Sequence, residues 1–185
     1  MKGRNIVISS ILVLSVASIP FVWSDDDSEE WQEYSRHSTG VAKITNPVYL
    51  QECGDCHMAY PAGLLPADAW QRVMNGLEDH FGDNAELDPS TRKQITDYLI
   101  ANSADKSDYR RSQRFAKRDK KSNDNMRITE TPYFRHEHNE ILARLVITNK
   151  EVNSFSNCNS CHQKAEQASF KERDILIPGY GRWDD

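Results

Sequence analysis

The sequence predicts a mostly α protein that contains two small helical units. Strand signals are few, and apolar residues recur at the three- and four-residue spacing of a helix in two separate segments. The 6 Phe, 7 Tyr and 4 Trp residues can supply a core, although charged residues make up 28% of the chain. A length of 185 residues suffices for one compact domain or two small ones. The composition therefore argues against wholesale disorder and against a protein with many membrane spans.

The first 24 residues have the layout of a secretory signal. A basic start precedes an apolar stretch over 6–19, and small or medium residues lead into an acidic run that begins at Asp25. An uncleaved anchor is the alternative, since residues 6–23 are just long enough to span a bilayer. A proline and a serine near the end of this stretch favour cleavage, after which no stable membrane insertion is expected. We therefore predict an exported protein with an acidic and polar lead-in over residues 25–44.

The first unit is predicted to cover residues 45–104. One helix opens at Pro66, and a second begins at the cap formed by Asp88 and Pro89. Two glycines indicate that the earlier helix ends near His80. The residues expected to face inward are Trp70, Val73, Met74 and Leu77 on the first helix and Ile95, Tyr98 and Leu99 on the second.

Residues 105–128 differ from the rest of the chain because they are basic. Nine Lys and Arg residues oppose four Asp residues between positions 105 and 127. This segment is predicted to be a linker or a solvated helix, and the alternative is an electrostatic docking patch. The chain as a whole carries a net charge of −5, which makes nucleic acid a poor partner because phosphate binding needs surplus Lys and Arg.

The second unit is predicted to cover residues 129–185. Its Thr-Pro pair at 131–132 is typical of a helix start, with an N-cap followed by the first helical residue. A short helix over 164–170 and an extended tail over 175–178 are expected later in the unit. At about 100° per residue, one face of the helix that begins at the Thr-Pro pair carries Phe134, His138, Ile141, Leu142 and Leu145.

All four cysteines of the chain fall in two copies of one pentapeptide, Cys53-Gly54-Asp55-Cys56-His57 and Cys158-Asn159-Ser160-Cys161-His162. C-x-x-C-H is the attachment site of c-type haem, because two thiols at this spacing reach the two vinyl groups on one porphyrin edge. The histidine that follows projects its imidazole under the iron as the proximal ligand. A thioredoxin-like redox pair and a single zinc site formed by both motifs are the alternatives. The motifs therefore predict two covalently bound haem c groups, with His57 and His162 as proximal ligands, and two helical haem-binding units packed around them.

Four histidines and two methionines are candidates for the distal faces of the two irons, namely His37, His80, His136, His138, Met74 and Met126. His138 lies near the centre of the predicted apolar face, where a buried imidazole needs a partner. His80 lies on the turn beside Phe81 that follows the first helix. His37 and His136 have polar neighbours and are expected to face solvent, whereas Met74 fits an apolar stripe and Met126 lies in a basic, polar stretch. We therefore predict His80 and His138 as distal ligands.

Several segments resemble the small periplasmic dihaem cytochrome c family of bacteria, and the resemblance covers most of residues 45–180. The matching segments are ECGDCHMAYPAGLLP (52–66), GLEDHFGDNA (76–85), PYFRHEH (132–138), NCNSCH (157–162) and KAE (164–166). The resemblance implies low-potential haems with two histidine ligands each, His57 and His162 being proximal and His80 and His138 distal. It does not fix which distal histidine serves which haem. It also implies a periplasmic electron carrier that a membrane b-type cytochrome reduces and that passes electrons to a small soluble monohaem cytochrome.

Filled axial positions on both irons leave no open site for a substrate, so the expected function is one-electron transfer without catalysis. A second catalytic constellation is not evident in the sequence. The alternative is a haem enzyme, such as a peroxidase or a reductase, or a gas-binding sensor, in which one haem is five-coordinate or loses its distal ligand.

Overall fold

The computed structural model describes residues 40–117 and 126–183. Outside these residues lie the predicted signal over 1–24, most of the predicted lead-in over 25–44, and residues 118–125 of the basic segment. The part described is mostly helical, as the sequence predicts. Its α-helices are α1 (Pro47–Gly54), α2 (Ala67–Asn75), α3 (Pro89–Ala101), α4 (Arg110–Phe115), α5 (Pro132–Glu137) and α6 (Cys158–Cys161). Its strands, β1 (Leu176–Ile177) and β2 (Gly181–Arg182), pair antiparallel.

Short 3-10 turns connect these elements. They are Ala62–Leu64, Leu77–Asp79, Ala104–Lys106, Ile128–Glu130, Ala143–Leu145, Ala165–Gln167 and Glu172–Asp174. Within the two described ranges, every helix is too short or too polar to cross a bilayer.

Side-chain caps and prolines set where three helices begin. Asn46 precedes α1, Asp88 precedes α3 and Thr131 precedes α5, and in each case a proline is the first helical residue. The side-chain oxygen of each cap accepts hydrogen bonds from backbone N–H groups of the first turn, at 3.0 Å in α1. The predicted helix starts after Asp88 and Thr131 are therefore confirmed.

Helices α2 and α3 pack against each other and form the centre of the core. Their buried side chains, together with one just beyond α2, are Trp70, Val73, Met74, Leu77, Ile95 and Leu99. The indole N–H of Trp70 donates to the carbonyl of Ala62 at 2.7 Å, which satisfies the polar atom of this buried ring. The predicted inward faces are confirmed, except that Tyr98 is only half-buried.

Helix α5 is much shorter than the predicted helix that would carry His138 in its middle. It ends at Glu137, and His138 is its C-cap. The Nδ1–H of His138 donates to the carbonyl of Phe134 at 2.9 Å, beside the backbone N–H of His138 at 3.1 Å. This side-chain bond completes the last turn, and the chain then leaves the helix. The apolar face predicted beyond this point does not form, and Leu142 is 48% exposed.

Two further details of the second unit differ from or extend the predictions. The helix predicted over 164–170 is reduced to one 3-10 turn, because Ala168 takes a left-handed backbone with φ of 60° that ends the helical path. The tail over 175–178 is extended as predicted. It continues into a turn at Gly179, where φ is 73°, so that β1 can pair with β2.

Helix α4 lies within the predicted basic linker or helix, and it packs onto the core. Its Ser112 and Phe115 are buried. A Cβ on Gly63 would overlap the Oγ of Ser112 and lie 3.3 Å from its Cβ, so this close approach requires glycine. One cluster of buried side chains extends from Tyr49 in the first predicted unit to Ala168 in the second, and it also includes Val41 from the lead-in. The two predicted units therefore share one core.

Candidate functional site

The first C-x-x-C-H motif lies at the end of α1. The helix ends at Gly54, with Cys53 half-buried and Cys56 at the surface. The half-buried His57 follows, and its Nδ1–H donates to the carbonyl of Met58 at 2.8 Å. Because a carbonyl only accepts hydrogen bonds, this contact fixes the proton on Nδ1 and leaves Nε2 with a lone pair for a metal.

A tight turn holds His80 close to His57. The backbone N–H and C=O groups of His80 bond those of Asp83 at 2.7 and 3.3 Å, and the turn requires a left-handed backbone at Phe81 (φ 58°) and Gly82 (φ 110°). The ring centroids of the two histidines are 6.3 Å apart, and their ring planes are 18° from parallel. We call His57 and His80 the first histidine pair.

The second motif forms the short helix α6, and His162 is its C-cap. His138, at the end of α5, lies close to it, with ring centroids 6.1 Å apart and ring planes at 72°. We call His138 and His162 the second histidine pair. The ring of Phe134 stacks on His138 at 3.9 Å, and that of Phe170 lies 5.4 Å from His162. These aromatic contacts restrict how both imidazoles can rotate.

Each histidine pair has the dimensions needed to hold one metal ion between its rings. A metal-bound imidazole nitrogen lies about 2 Å from the metal and roughly 1 Å from its own ring centroid, so rings on opposite sides of one ion have centroids about 6 Å apart. The observed separations are 6.3 and 6.1 Å. Burial lowers the pKa of His80 and of His138, and it lowers the pKa of His162 to about 4, which keeps these imidazoles neutral. The histidines therefore fit a group that presents one iron with two axial positions.

A cavity opens beside the second histidine pair. Its lining includes both histidines and both cysteines of the second motif. Most of the remaining lining is apolar and includes Phe115, Ile128, Phe134, Phe155 and Ile177. A largely apolar cavity that also presents thiols and imidazoles suits a flat apolar macrocycle with a metal centre.

Three of the four motif thiols are poorly suited to redox chemistry of their own. None of the four cysteines, all within the described residues, forms a disulfide. Burial raises the pKa of Cys53 and of Cys158 to about 11, and it also raises the pKa of Cys161. Reactive redox cysteines instead have a lowered pKa, since the thiolate is the nucleophile. The motifs therefore favour covalent attachment of a cofactor over a thioredoxin-like pair.

Tyr60 connects the two motifs, a contact that was not predicted from the sequence. Its ring lies 4.8 Å from that of His57, and its hydroxyl donates to the carbonyl of Ser156 at 2.8 Å. The same carbonyl accepts a bond from the backbone N–H of Cys158 at 2.9 Å. Burial raises the pKa of Tyr60 to about 12, so the hydroxyl remains a donor at neutral pH. The only local signal for this role is the position of Tyr60 three residues after the first motif histidine.

The other candidates for distal ligands lie in different surroundings. Met74 is 2% exposed within the core, Met126 packs partly against that core, and His136 is exposed. His37 lies outside the described residues. Among the candidates that the structure describes, it places His80 and His138 beside the motif histidines, one in each pair.

Comparison with known proteins identifies the family. The sequence model described as dihaem cytochrome c matches residues 49–170. The chain is similar to the X-ray structure of a dihaem cytochrome c from Shewanella baltica OS155, at 44% identity over 76% of this chain and 100% of that chain, with a TM-score of 0.63. It is also similar to a dihaem cytochrome c from Rhodobacter sphaeroides, at 41% identity over 69% of this chain and 98% of that chain, with a TM-score of 0.60. Comparison with curated proteins gives no match. Because the family match spans more than half of the chain and both motifs fit two covalently bound c-type haems, the chain belongs to the dihaem cytochrome c family.

Proposed function

We propose that this dihaem cytochrome c carries single electrons with both haems ligated by two histidines. His57 and His162 are the proximal ligands, and His80 and His138 are the distal ligands. Membership of the family implies electron transfer and suggests a carrier rather than an enzyme.

The observation that carries this proposal is the spacing within the two histidine pairs. Centroid separations of 6.3 and 6.1 Å leave room for one metal ion and no additional ligand between the rings. The Nδ1–H groups of His57 and His138 donate to backbone carbonyls, which orients each ring and directs its Nε2 lone pair toward a metal.

In this proposal the protein catalyses no reaction, because its own histidines occupy the positions at which a substrate would reach the metal. A bound haem supplies one-electron chemistry, because its iron is stable in the ferric and ferrous states. With an imidazole on each side, the protein keeps water and small molecules from the metal. The stacked ring of Phe134 and the nearby ring of Phe170 hold the second histidine pair in place, which keeps the ligand geometry similar in both oxidation states.

Low reduction potentials follow from the proposed ligands. Imidazole ligation lacks the thioether that raises the potential of cytochromes with a methionine ligand. The net charge of −5 also favours the ferric state, which carries the additional positive charge. We further propose a periplasmic location, a membrane b-type cytochrome as electron donor and a small soluble monohaem cytochrome as acceptor. The family resemblance and the signal-like first 24 residues support these assignments.

Spectra of the ferric protein test the ligation directly. Visible and EPR spectra should show two low-spin haems and no high-spin signal at neutral pH. His138→Ala should convert one haem to high spin while both haems remain covalently attached, and His80→Ala should do the same to the other haem. His136→Ala is the matched control, since this exposed histidine lies near His138 on the chain, and it should leave both haems low-spin.

An unchanged spectrum in His138→Ala or His80→Ala would exclude that residue as an axial ligand. A high-spin signal in the unmodified protein would favour a haem enzyme or a gas-binding sensor instead. Mass spectrometry of each variant provides the loading control, because two attached haems add two porphyrin masses to the polypeptide.

A further inference from the structure

Arg111 points from the basic segment toward the second histidine pair. It is half-buried on α4 and lines the cavity that also contains His138, His162 and the second cysteine motif. Of the described residues that line this cavity, Arg111 alone is a lysine or an arginine.

Contacts from α4 fix where this guanidinium lies. Its Nη1 donates to the carbonyl of Phe170 at 2.7 Å, which joins α4 to the chain that follows the second motif. Arg111 and Phe115 are four residues apart on one helix face, and both line the cavity. The close approach of Ser112 to Gly63 holds the same helix against the core.

Within residues 40–117 and 126–183, no salt bridge includes Arg111, so its remaining N–H donors have no carboxylate partner there. One hydrogen bond to Phe170 leaves four of the five guanidinium N–H donors for another acceptor. Two carboxylates, Glu137 and Glu172, also line the cavity, but both are exposed. A half-buried guanidinium beside an apolar cavity is a strong site for a planar carboxylate.

We propose that Arg111 binds a propionate carboxylate of the haem attached at Cys158 and Cys161. Each haem brings two propionates, and a carboxylate that enters a largely apolar cavity is stabilised when it pairs with a fixed cation. The helix from the basic segment therefore supplies a cofactor-binding residue, while its Arg110 and Arg114 are exposed. This inference rests on the proposed ligation of the second haem by the second histidine pair.

Two substitutions on adjacent positions of α4 test the inference. In Arg111→Gln, the propionate bending band in the resonance Raman spectrum of one haem should shift, because that band responds to hydrogen bonding of the carboxylate. The reduction potential of one haem should also fall, since removing a nearby positive charge favours the ferric state. Arg110→Gln removes an exposed cation from the neighbouring position, and both the band and the two potentials should match those of the unmodified protein.

The Arg111→Lys variant distinguishes the effect of carboxylate binding from the effect of positive charge. It also replaces Arg111→Gln in the test if that variant does not bind haem. It keeps the positive charge but not the forked geometry, so the band should shift while the potential changes little. A bending band that is unmoved in Arg111→Lys, or in a folded Arg111→Gln, overturns the inference, whatever the potential does. If the unmodified protein shows a high-spin haem, the proposed function fails. If both haems are low-spin and the band does not move, the Arg111 assignment alone fails.

Discussion

Replacing Gly63 with alanine should destabilise the protein by forcing α4 away from the core. The added Cβ would overlap the Oγ of Ser112, lie 3.3 Å from its Cβ and lie 3.8 Å from the Cβ of Val41. Ser112 is fully buried, so its side chain can move only by disturbing its neighbours. Overpacking of this kind costs about 1–3 kcal/mol. For a chain of this length, that loss lowers Tm by roughly 2–12 °C.

Ser112→Ala provides a compensating change. Its Oγ is buried and has no hydrogen-bond partner among the described residues, so its removal loses no observed hydrogen bond. Ser112→Ala alone should leave the free energy of unfolding unchanged or raise it by up to about 1 kcal/mol. In the double variant, the closest contact of the added Cβ at position 63 is the Cβ of residue 112 at 3.3 Å. The double variant should therefore recover about 1–2 kcal/mol of the loss caused by Gly63→Ala.

Guanidinium unfolding of the haem-loaded protein measures all four free energies. Far-UV circular dichroism reports the helices, and the Soret absorbance reports the haem surroundings. A Gly63→Ala variant as stable as the unmodified protein would refute the close approach of α4. A double variant no more stable than Gly63→Ala would refute the assignment of the cost to the hydroxyl of Ser112.

Two other predictions concern the connection between the motifs and the histidine planes. Tyr60→Phe should lower the free energy of unfolding by about 1 kcal/mol, as denaturant unfolding would show, because the hydroxyl no longer donates to Ser156. Both haems should stay low-spin in that variant. The ferric EPR spectrum should also show two different low-spin signals. Nearly parallel imidazoles, as in the first histidine pair at 18°, separate the two iron dπ orbitals in energy and should give a rhombic signal with three resolved g values. Planes at 72°, as in the second pair, leave these orbitals nearly equal in energy and should give a signal with one large g value.

A control variant tests the first of these predictions, and the type of the two EPR signals tests the second. Tyr180→Phe is the control for the tyrosine change, since Tyr180 is 58% exposed, and it should not alter stability. Equal stability of Tyr60→Phe and Tyr180→Phe would mean that the bond to Ser156 contributes nothing. Two low-spin EPR signals of the same type would contradict the different ring orientations in the two histidine pairs.

The local parts of this architecture follow from the sequence. The apolar stripe of α2 and the cap at Asp88 depend on residues within one or two turns of each other, and both appear as predicted. The attachment motifs are also local, because the chemistry of the cofactor fixes their spacing. His80 lies on a turn beside Phe81, as its glycine-flanked position predicts.

The remaining features depend on contacts that no local sequence pattern predicts. The side chain of His138 completes the last turn of α5, and the helix ends there. The spacing of apolar residues alone predicts that the helix continues past His138. Tyr60 and Ser156 meet across 96 positions of the chain. Helix α4 packs closely against the core because Gly63 has no Cβ. The charge composition of this segment contains no sign of that contact and by itself predicts a linker or a solvated helix.

The continuous buried cluster from Val41 to Ala168 has a consequence for dissection of this protein. A fragment cut between the attachment motifs would expose apolar side chains that normally meet the other half, and it would be prone to aggregate. Neither half can then serve as a stand-alone single-haem carrier. Because one core supports both attachment motifs, a substitution that loosens the packing in one half should also weaken the packing in the other.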